Sequence, residues 1–435
     1  MSTLVALDAL LLTVLLMIGV PVPLCFAGAV AVLMTFGDYG APAFLIGTGY
    51  AKVSSLVIVA IPLFILAGGL MSQGGIAQRL VAVADSLFGR TRLGLGGVVI
   101  MTTAVFGAIS GMASSAVAAI GTIMVPRMVE RGYDRAYAST LVAVSAVLAL
   151  LIPPSASMIL FGWVTGTSIL ACFLAPIFPA FILIALMAFW NIVLTRNMPI
   201  IRPEPAPLKQ VAVEFFGRVR HATLALLMPV VILGCIYGGV TTPTEAAAVA
   251  VLYAIPIGLF VYKDLNWREL GNVFWRAGQI TGVLLLMIFF ASMLARIWTM
   301  ENVPQQILSV FLSVSENPII LLLMANVFLA IVGMFMDDAS GILLASPLLM
   351  PLMLEVGVHP VQFAAIVAVN LGMGLITPPT APILYFAALI GKAQVGYMMK
   401  PALVFVLGAY LPVVLLVTFI PELSLTLPRW VLGLN

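Results

Sequence analysis

Long apolar segments recur along nearly the whole chain, and only short polar connections separate them. Segments of this length with few charges are typical of helices that cross a lipid bilayer. A membrane β-barrel would instead show short segments in which apolar and polar positions alternate. The pattern therefore predicts an all-α polytopic membrane protein. We place the apolar segments, to within several residues, at 4–19, 22–37, 53–72, 95–125, 137–153, 156–163, 168–195, 222–238, 244–262, 274–295, 304–314, 318–335, 339–354, 362–377, 381–391 and 401–421.

The composition agrees with this interpretation and excludes other classes. Of 435 residues, 63% are hydrophobic and 8% are charged, which a water-soluble fold has no means of covering with polar surface. A net charge of +3 is too small to indicate nucleic-acid binding. Cys25, Cys172 and Cys235 lie in apolar segments without metal-ligand spacing, so we expect neither a disulfide nor a transition-metal site.

One long polar connection divides the chain. Residues 196–221 are rich in proline and in positive charge, which is typical of a cytoplasmic linker. We therefore predict a first half at 1–195 and a second half at 222–435. The first apolar segment has no Lys or Arg before it, so we interpret it as a membrane helix and not as a signal peptide.

The two halves resemble each other in sequence. Residues 126–160 match residues 351–385 at 11 of 35 positions when the offset is 225. A second pair of stretches, beginning at Gly19 and at Gly239, matches at an offset of 220. Internal repeats with helix breaks at corresponding positions are typical of secondary transporters.

Positive charge predicts how each half is oriented. Arginines flank the block 95–125 on both sides, so both of its ends are expected in the cytoplasm. The centre of the block, "GAISGMASSA", is rich in Gly and Ser, which indicates a re-entrant hairpin. The corresponding block 318–354 lies in a stretch without Lys or Arg, between Arg296 and Lys392, so its ends should be periplasmic. We therefore predict inverted repeats.

Each half also contains a pair of adjacent prolines in an apolar segment. They occur in "LLIPPSASMIL", which begins at Leu150, and in "LITPPTAPIL", which begins at Leu375. Proline lacks the N–H that would bond the carbonyl four residues back, so each pair should break its helix, at 153–154 and at 378–379. Freed carbonyls are costly in hydrocarbon, and a bound sodium ion with nearby hydroxyl ligands would satisfy them.

This reasoning predicts two sites, each made from one hairpin tip and one helix break. The candidate sodium ligands of the first are Ser110, Gly111, Ser114, Ser115, Ile152, Pro153, Pro154 and Ser155, and those of the second are Asp337, Asp338, Gly341, Thr377, Pro378, Pro379 and Thr380. The candidate substrate-binding residues are Ser114, Ser157, Ser340, Asn370 and Thr380. The helix N-termini at tips and breaks suit an anionic substrate between the ions.

Other interpretations of the same residues stay open at this point. A double proline also occurs as a structural kink, and "SGMASS" also suits close helix packing. Asp337 and Asp338 could both stay ionised if their hairpin tip reached water. Glu245 suits a helix cap better than a proton relay. An intramembrane hydrolase with Ser114 or Ser155 as nucleophile lacks a base. We therefore do not expect an enzyme.

Several stretches together resemble one known family. The chain resembles the large membrane subunit of tripartite ATP-independent periplasmic (TRAP) transporters. The stretches that carry the resemblance begin at Phe106 ("FGAISG"), Ala118 ("AAIGTIMVPRM"), Arg131 ("RGYDRAYA"), Leu150 ("LLIPPS"), Gly238 ("GGVTTPTEAAAVA") and Asn370 ("NLGMGLITPPT"). They are ordered as in the family and cover essentially the whole chain.

The resemblance implies a function and a set of partners. It implies sodium-driven uptake of a small organic anion, usually a carboxylate, by an elevator-type motion across the bacterial inner membrane. It also implies a periplasmic substrate-binding protein and a small four-helix membrane subunit, expected as a second polypeptide. The chain departs from the family pattern at Met112-Ala113 and at "TAPILYF" from Thr380, where ion and substrate would be held. The rival hypothesis is a stand-alone sodium-coupled dicarboxylate or oxyanion carrier of related fold.

Overall fold

The regular structure of the chain is entirely helical in the part that a computed structural model describes, residues 3–39, 41–201, 207–378 and 380–433. Its first helices are α1 (Thr3–Met17), α2 (Val22–Phe36), α3 (Pro42–Val53), α4 (Ala60–Gln73), α5 (Ile76–Phe88), α6 (Gly94–Ser110), α7 (Ala113–Glu130), α8 (Arg135–Ala146), α9 (Leu148–Leu151), α10 (Ala156–Thr165), α11 (Ile169–Leu174) and α12 (Ile177–Leu194). The others are α13 (Leu208–His221), α14 (Thr223–Tyr237), α15 (Pro243–Pro256), α16 (Trp267–Met300), α17 (Val303–Val314), α18 (Pro318–Phe335), α19 (Asp338–Glu355), α20 (Pro360–Gly374), α21 (Pro382–Gly391), α22 (Val395–Phe405), α23 (Leu411–Phe419) and α24 (Glu422–Leu432). Two π-helical segments, Ile257–Val261 and Val406–Tyr410, continue α15 and join α22 to α23.

Helix length and composition agree with a multi-pass membrane protein. Among the described residues, six helices are long and apolar enough to cross a bilayer, or up to nine if each bent helix pair is one span. One bent pair is α8–α9 with α10, which turns by 44° at the first predicted proline break. The prediction of an all-α polytopic membrane protein is confirmed.

The sequence pattern missed four helices that are short or amphipathic. These are α3, α5, α13 and α24, and α13 occupies the second half of the linker predicted at 196–221. α5 and α13 carry charged residues along one face, which lowers their mean hydropathy below that of a span. The apolar segment 53–72 is likewise shorter in the structure, because α3 ends at Val53 and α4 begins at Ala60.

Both predicted hairpin blocks are pairs of packed helices. Block 95–125 consists of α6 and α7, joined at Gly111-Met112, which we name the first tip. Block 318–354 consists of α18 and α19, joined at Met336-Asp337, which we name the second tip. The sides from which the hairpins enter the membrane stay a prediction.

The same succession of helices occurs twice. The bounds of α7, Ala113 and Glu130, lie 225 positions before those of α19, Asp338 and Glu355. The bounds of α6 and α18, and of α10 and α21, agree at this offset to within one residue. This correspondence supports a duplication, whereas the inverted orientation of the repeats stays a prediction.

Glycines bring each hairpin into backbone contact with its broken helix. A Cβ on Gly107 of α6 would lie 2.6 Å from the Cα of Ala149 in α9. A Cβ on Gly333 of α18 would lie 3.2 Å from the Cα of Gly374 in α20. Ala149 and Gly374 are 225 positions apart, so both halves use the same close approach.

The long helix α16 lies between two groups of helices. It has 34 residues, so it is about 51 Å long at 1.5 Å per residue. On one side it packs against α2, α3 and α4, and on the other it contacts α19 of the second hairpin. α4 also packs against α15, whose N-terminus is capped by Thr242 and Glu245, so the capping prediction for Glu245 is confirmed.

Three ion pairs join the amphipathic helix α5 and its C-terminal end to neighbouring elements. Arg127 of α7 bonds Asp85 of α5 at 2.7 Å, and Arg79 of α5 bonds Asp264, before α16, at 2.5 Å. Arg90, after α5, bonds Glu214 of α13 at 2.9 Å. These are the ion pairs found among the described residues, and they lie on the face that the charge pattern predicts to be cytoplasmic.

Candidate functional site

The first tip lies directly against the first break, residues 152–155. The amide of Ala156 donates to the carbonyl of Gly111 at 3.3 Å. Gly111 has a φ of 62°, and a Cβ at this position would lie 2.7 Å from the carbonyl oxygen of Pro154. Only glycine allows both this backbone conformation and this approach. The structure thus brings together the two parts of the first predicted site.

Two buried hydroxyl oxygens at this junction have no hydrogen-bond partner among the described residues. They are the Oγ atoms of Ser110, at the end of α6, and of Ser155, before α10. Pro153 and Pro154 have no N–H to donate to the carbonyls of Ala149 and Leu150. Hydroxyl and carbonyl oxygens are the ligands that a hard cation such as sodium prefers, so these residues fit the ion.

The second tip is organised by its own acidic residue. Asp337 is the N-cap of α19, and its carboxylate accepts the amide of Ser340 at 3.3 Å. The hydroxyl of Ser340 also donates to the same carboxylate, and Gly341 follows in the first turn against Leu371. The side chain of Asp337 is nevertheless exposed, because an internal cavity borders it.

The second break, residues 375–381, is joined to the second hairpin by Thr380. The hydroxyl of Thr380 donates to the carbonyl of Met334 near the end of α18. The carbonyls of Gly374 and Leu375 accept amide bonds from Thr377 and Ile383 at 3.0 and 3.1 Å. Amides within and just after the second break therefore donate hydrogen bonds to the carbonyls that the prolines of the break leave free. Pro378 is half-buried at this break, and Pro379 lies outside the described residues.

A cavity of about 400 Å³ separates the two tips and the two breaks from α16, and we name it the central cavity. Met112 and Ser114 of the first hairpin and Asp337 and Asp338 of the second hairpin line it. Residues that follow the breaks, such as Ser157 in α10 and Pro382 in α21, also border it. No Lys, Arg or His lines the central cavity in the part of the chain that the structure describes.

One side-chain contact joins the two halves of the chain at this cavity. The hydroxyl of Ser157 donates to the carboxylate of Asp338, which is 181 residues away in sequence. Ser157 is buried, whereas Asp338 keeps part of its surface toward the cavity. The predicted substrate-binding Ser157 and the predicted sodium ligand Asp338 are therefore direct neighbours.

Three other predicted residues make hydrogen bonds of their own. Asn370 is fully buried away from the central cavity, and its amide donates to Asn326 at 2.8 Å and to Ile366 at 2.9 Å. Thr377 donates its hydroxyl to the carbonyl of Met373 at 2.6 Å. Ile152 ends α9 and its amide bonds Leu148.

Ser115 lines a second cavity, which has a volume of about 250 Å³ and lies between α4, α7 and α16. Arg276 and Asn272 of α16 line this second cavity, together with Gln73 at the end of α4. Ile280 borders both cavities, so the second one lies beside the central cavity along α16.

The wall that α16 contributes to the central cavity is not among the predicted site residues. Gln279 contributes an amide there, and Ile280, Val283, Leu284 and Met287 contribute apolar side chains. Gln279 is one of several polar residues in the first part of this helix, so the sequence does not single it out. Only the distance of three or four residues between the wall positions, which places them on one helix face, is visible in the sequence.

The fold is that of a multi-pass membrane protein, and comparisons with known proteins show its family. A family model described as "Tripartite ATP-independent periplasmic transporter, DctM component" matches residues 9–423. The C4-dicarboxylate TRAP transporter large permease protein DctM of Pseudomonas aeruginosa is 35% identical, with 87% of each chain covered. The sialic acid TRAP transporter large permease protein SiaM of Vibrio cholerae is 32% identical, with 88% of each chain covered.

A longer relative and a solved structure also match this chain. The isethionate TRAP transporter permease protein DctMQ of Oleidesulfovibrio alaskensis is 34% identical, and the match covers 94% of this chain and 64% of that relative. The crystal structure of the Alcanivorax borkumensis YdaH transporter has a similar fold, with a TM-score of 0.60 and 15% identity over 94% of this chain and 98% of that one. The chain belongs to the DctM component family of TRAP transporters, and its named relatives are permease subunits and not enzymes.

Proposed function

We propose that this chain is the permease of a sodium-driven TRAP transporter that imports a small organic anion across the bacterial inner membrane. The observation that carries the proposal is the junction of the first tip with the first break. There, the buried oxygens of Ser110 and Ser155 have no partner among the described residues, directly behind a cavity. Unpaired buried hydroxyls are costly unless a ligand uses them.

Sodium coupling is supported at both tips. Hydroxyl and carbonyl oxygens of the first junction supply neutral ligands, and the carboxylates of Asp337 and Asp338 supply charge at the second. Hydroxyls that donate a bond, such as those of Thr377 and Thr380, keep lone pairs for a cation. Two or more ions per cycle would neutralise these acids and leave the cavity ready for an anion.

An anionic substrate is supported by the start of α7. Its N-cap is Met112, which has no side chain able to accept the first amides, and Ser114 lies in the first turn beside the cavity. A helix N-terminus carries partial positive charge and free N–H groups, so it attracts a carboxylate. The substrate would therefore lie between this helix end and α16.

Alternating access by an elevator motion is supported by the position of the central cavity. It lies between α16, which packs with α2, α3 and α4, and the tips and breaks of the two halves. We propose that hairpins and broken helices slide along α16 as one unit. The family and the names of the relatives support a small membrane subunit and a periplasmic binding protein as partners.

Reconstitution tests this proposal. The neighbouring reading frames should first be searched for an exported binding protein and a small four-helix membrane protein. Proteoliposomes with all three proteins should then accumulate the anion held by the binding protein only under an inward sodium gradient. Uptake at the same rate with and without the sodium gradient would refute sodium coupling. Equal uptake by this chain alone would favour the rival, a stand-alone dicarboxylate or oxyanion carrier.

A further inference from the structure

The charges that line the central cavity are unusual for a site that would take a dicarboxylate. Asp337 and Asp338 both border the cavity, and no cationic side chain does so among the described residues. A second carboxylate on the substrate would face these acids without an arginine or lysine to pair with it. Bound sodium ions would neutralise the negative charge of Asp337 and Asp338, and no further positive charge would be left to pair with two substrate carboxylates.

The wall formed by α16 and its neighbours is largely apolar. Met112, Leu160 and Met287 line the cavity together with other aliphatic side chains of α16, and Gln279 is the polar residue of that wall. Burial of an apolar substrate body against these side chains stabilises binding, whereas a compact polar diacid would lose hydration without replacement. A volume of about 400 Å³ accommodates a body of several carbon atoms.

The polar groups of the cavity have opposite character at two places. The start of α7 has an uncapped N-terminus with Ser114 in its first turn, which suits a single carboxylate. Asp338 accepts a hydrogen bond from Ser157 through one carboxylate oxygen, and backbone amides at the start of α19 also face its carboxylate, part of which stays open to the cavity. A carboxylate oxygen in a cavity is an acceptor, so it selects for an N–H or O–H group on the ligand.

From these contacts, we infer that the substrate is a monocarboxylate with an apolar body and a hydrogen-bond donor, a hydroxyl or an ammonium, that faces Asp338. This inference rests on the proposed function, because it assumes that the central cavity is the substrate site. The carboxylate lies at the start of α7, the apolar body packs against α16, and the donor bonds the carboxylate of Asp338. Compact C4-dicarboxylates are poor ligands of this cavity.

A series of ligands with one carbon skeleton tests the inference. The full chain, purified with its membrane partner, is titrated in sodium with 2-hydroxy-4-methylpentanoate, L-leucine, 4-methyl-2-oxopentanoate and succinate, and ligand-induced thermal stabilisation is measured. We expect the hydroxy acid or leucine to bind at least about tenfold more tightly than the oxo acid, which lacks the donor, and than succinate.

Variants of Asp338 assign the effect to the proposed contact. Asp338→Ala should remove the preference for the donor-bearing ligand over the oxo acid. Asp338→Asn keeps an acceptor oxygen and a partner for Ser157, so it should fold normally. At saturating sodium, this variant should keep the preference for the hydroxy acid over the oxo acid and lose the preference for leucine over the oxo acid. Glu355→Ala removes an exposed carboxylate from the other end of α19 and is the matched control, which should bind as the unmodified chain does.

The outcomes separate this inference from the proposed function. Sodium-dependent binding of succinate that equals or exceeds that of the donor-bearing ligands would overturn the inference and leave the transporter proposal intact. An unchanged preference in Asp338→Ala would also overturn it. If titration with sodium itself produced no stabilisation and no ligand bound in a sodium-dependent way, the proposed function would fail instead.

Discussion

Replacement of Gly111 by alanine tests whether the first tip and the first break form one ion site. Gly111 has a φ of 62°, where an alanine costs about 1–2 kcal/mol. The new Cβ would also lie 2.7 Å from the oxygen of Pro154 and 3.2 Å from the nitrogen of Ala156. Both are backbone atoms that cannot rotate away, so the tip must shift from the break.

The shift separates the hydroxyl of Ser110 from that of Ser155 and weakens the site that they would share. If the collision with Pro154 and Ala156 costs about 1–2 kcal/mol in the ion-bound state and is relieved in the ion-free state, the sodium concentration for half-maximal uptake rises by about five- to thirtyfold. The measurement is the sodium dependence of uptake in proteoliposomes, with the melting temperature of each variant in detergent. The substrate concentration is held constant throughout.

Gly357→Ala is the matched control. Gly357 follows α19 with a φ of 77°, and nothing lies within 4 Å of the position that its Cβ would take. This variant therefore has comparable backbone strain without the collision and should keep the original sodium dependence. If both variants had the same sodium dependence, the tip and the break would not share an ion, and our reasoning on the first site would be wrong.

Three further predictions concern individual side chains. Ser155→Ala and Thr380→Ala should each raise the sodium concentration for half-maximal uptake by about two- to tenfold, because each removes a candidate ligand oxygen. Unchanged sodium dependence in both variants would contradict the proposed sites. Asp337→Asn should leave the melting temperature of the protein unchanged, because asparagine caps a helix as well as aspartate does. The same variant should reduce uptake, and uptake at the original rate would show that Asp337 is not part of the site. Asn370→Ala should destabilise the protein by about 1–3 kcal/mol, because Asn326 loses one of its buried hydrogen bonds, without altering sodium dependence; a changed sodium curve would show that Asn370 contributes to an ion site.

The sequence predicts the membrane class and the main apolar helices because hydropathy is a local property. It also locates both tips and both breaks, since Gly, Ser and paired prolines interrupt apolar segments for reasons that lie within a few residues. The amphipathic α5 and α13 were missed because their charged faces, with Arg79, Asp85 and Glu214, resemble polar connections. Their helical structure depends on neighbours that a local pattern does not show.

Contacts between distant residues are the part of the site that the sequence does not reveal. Asp338 and Ser157 are 181 residues apart and meet only because α10 packs against α19. The wall around Gln279 belongs to a long helix with several polar residues, and the sequence does not show which of them face a cavity. Asn370, which we predict to bind substrate, lies outside the lining of the central cavity; its amide nitrogen donates to Asn326, and its Oδ1 has no partner among the described residues.

The paired glycine contacts described above limit which surfaces of the molecule are able to move. Gly107 against Ala149, and Gly333 against Gly374, leave no room for side chains between the two backbones. Helices in such contact separate only by opening a void, which is costly in a close-packed interior. Each hairpin and its broken helix thus behave as one rigid body, and a relative displacement is least costly along the interface with α16, where long aliphatic side chains can change rotamer.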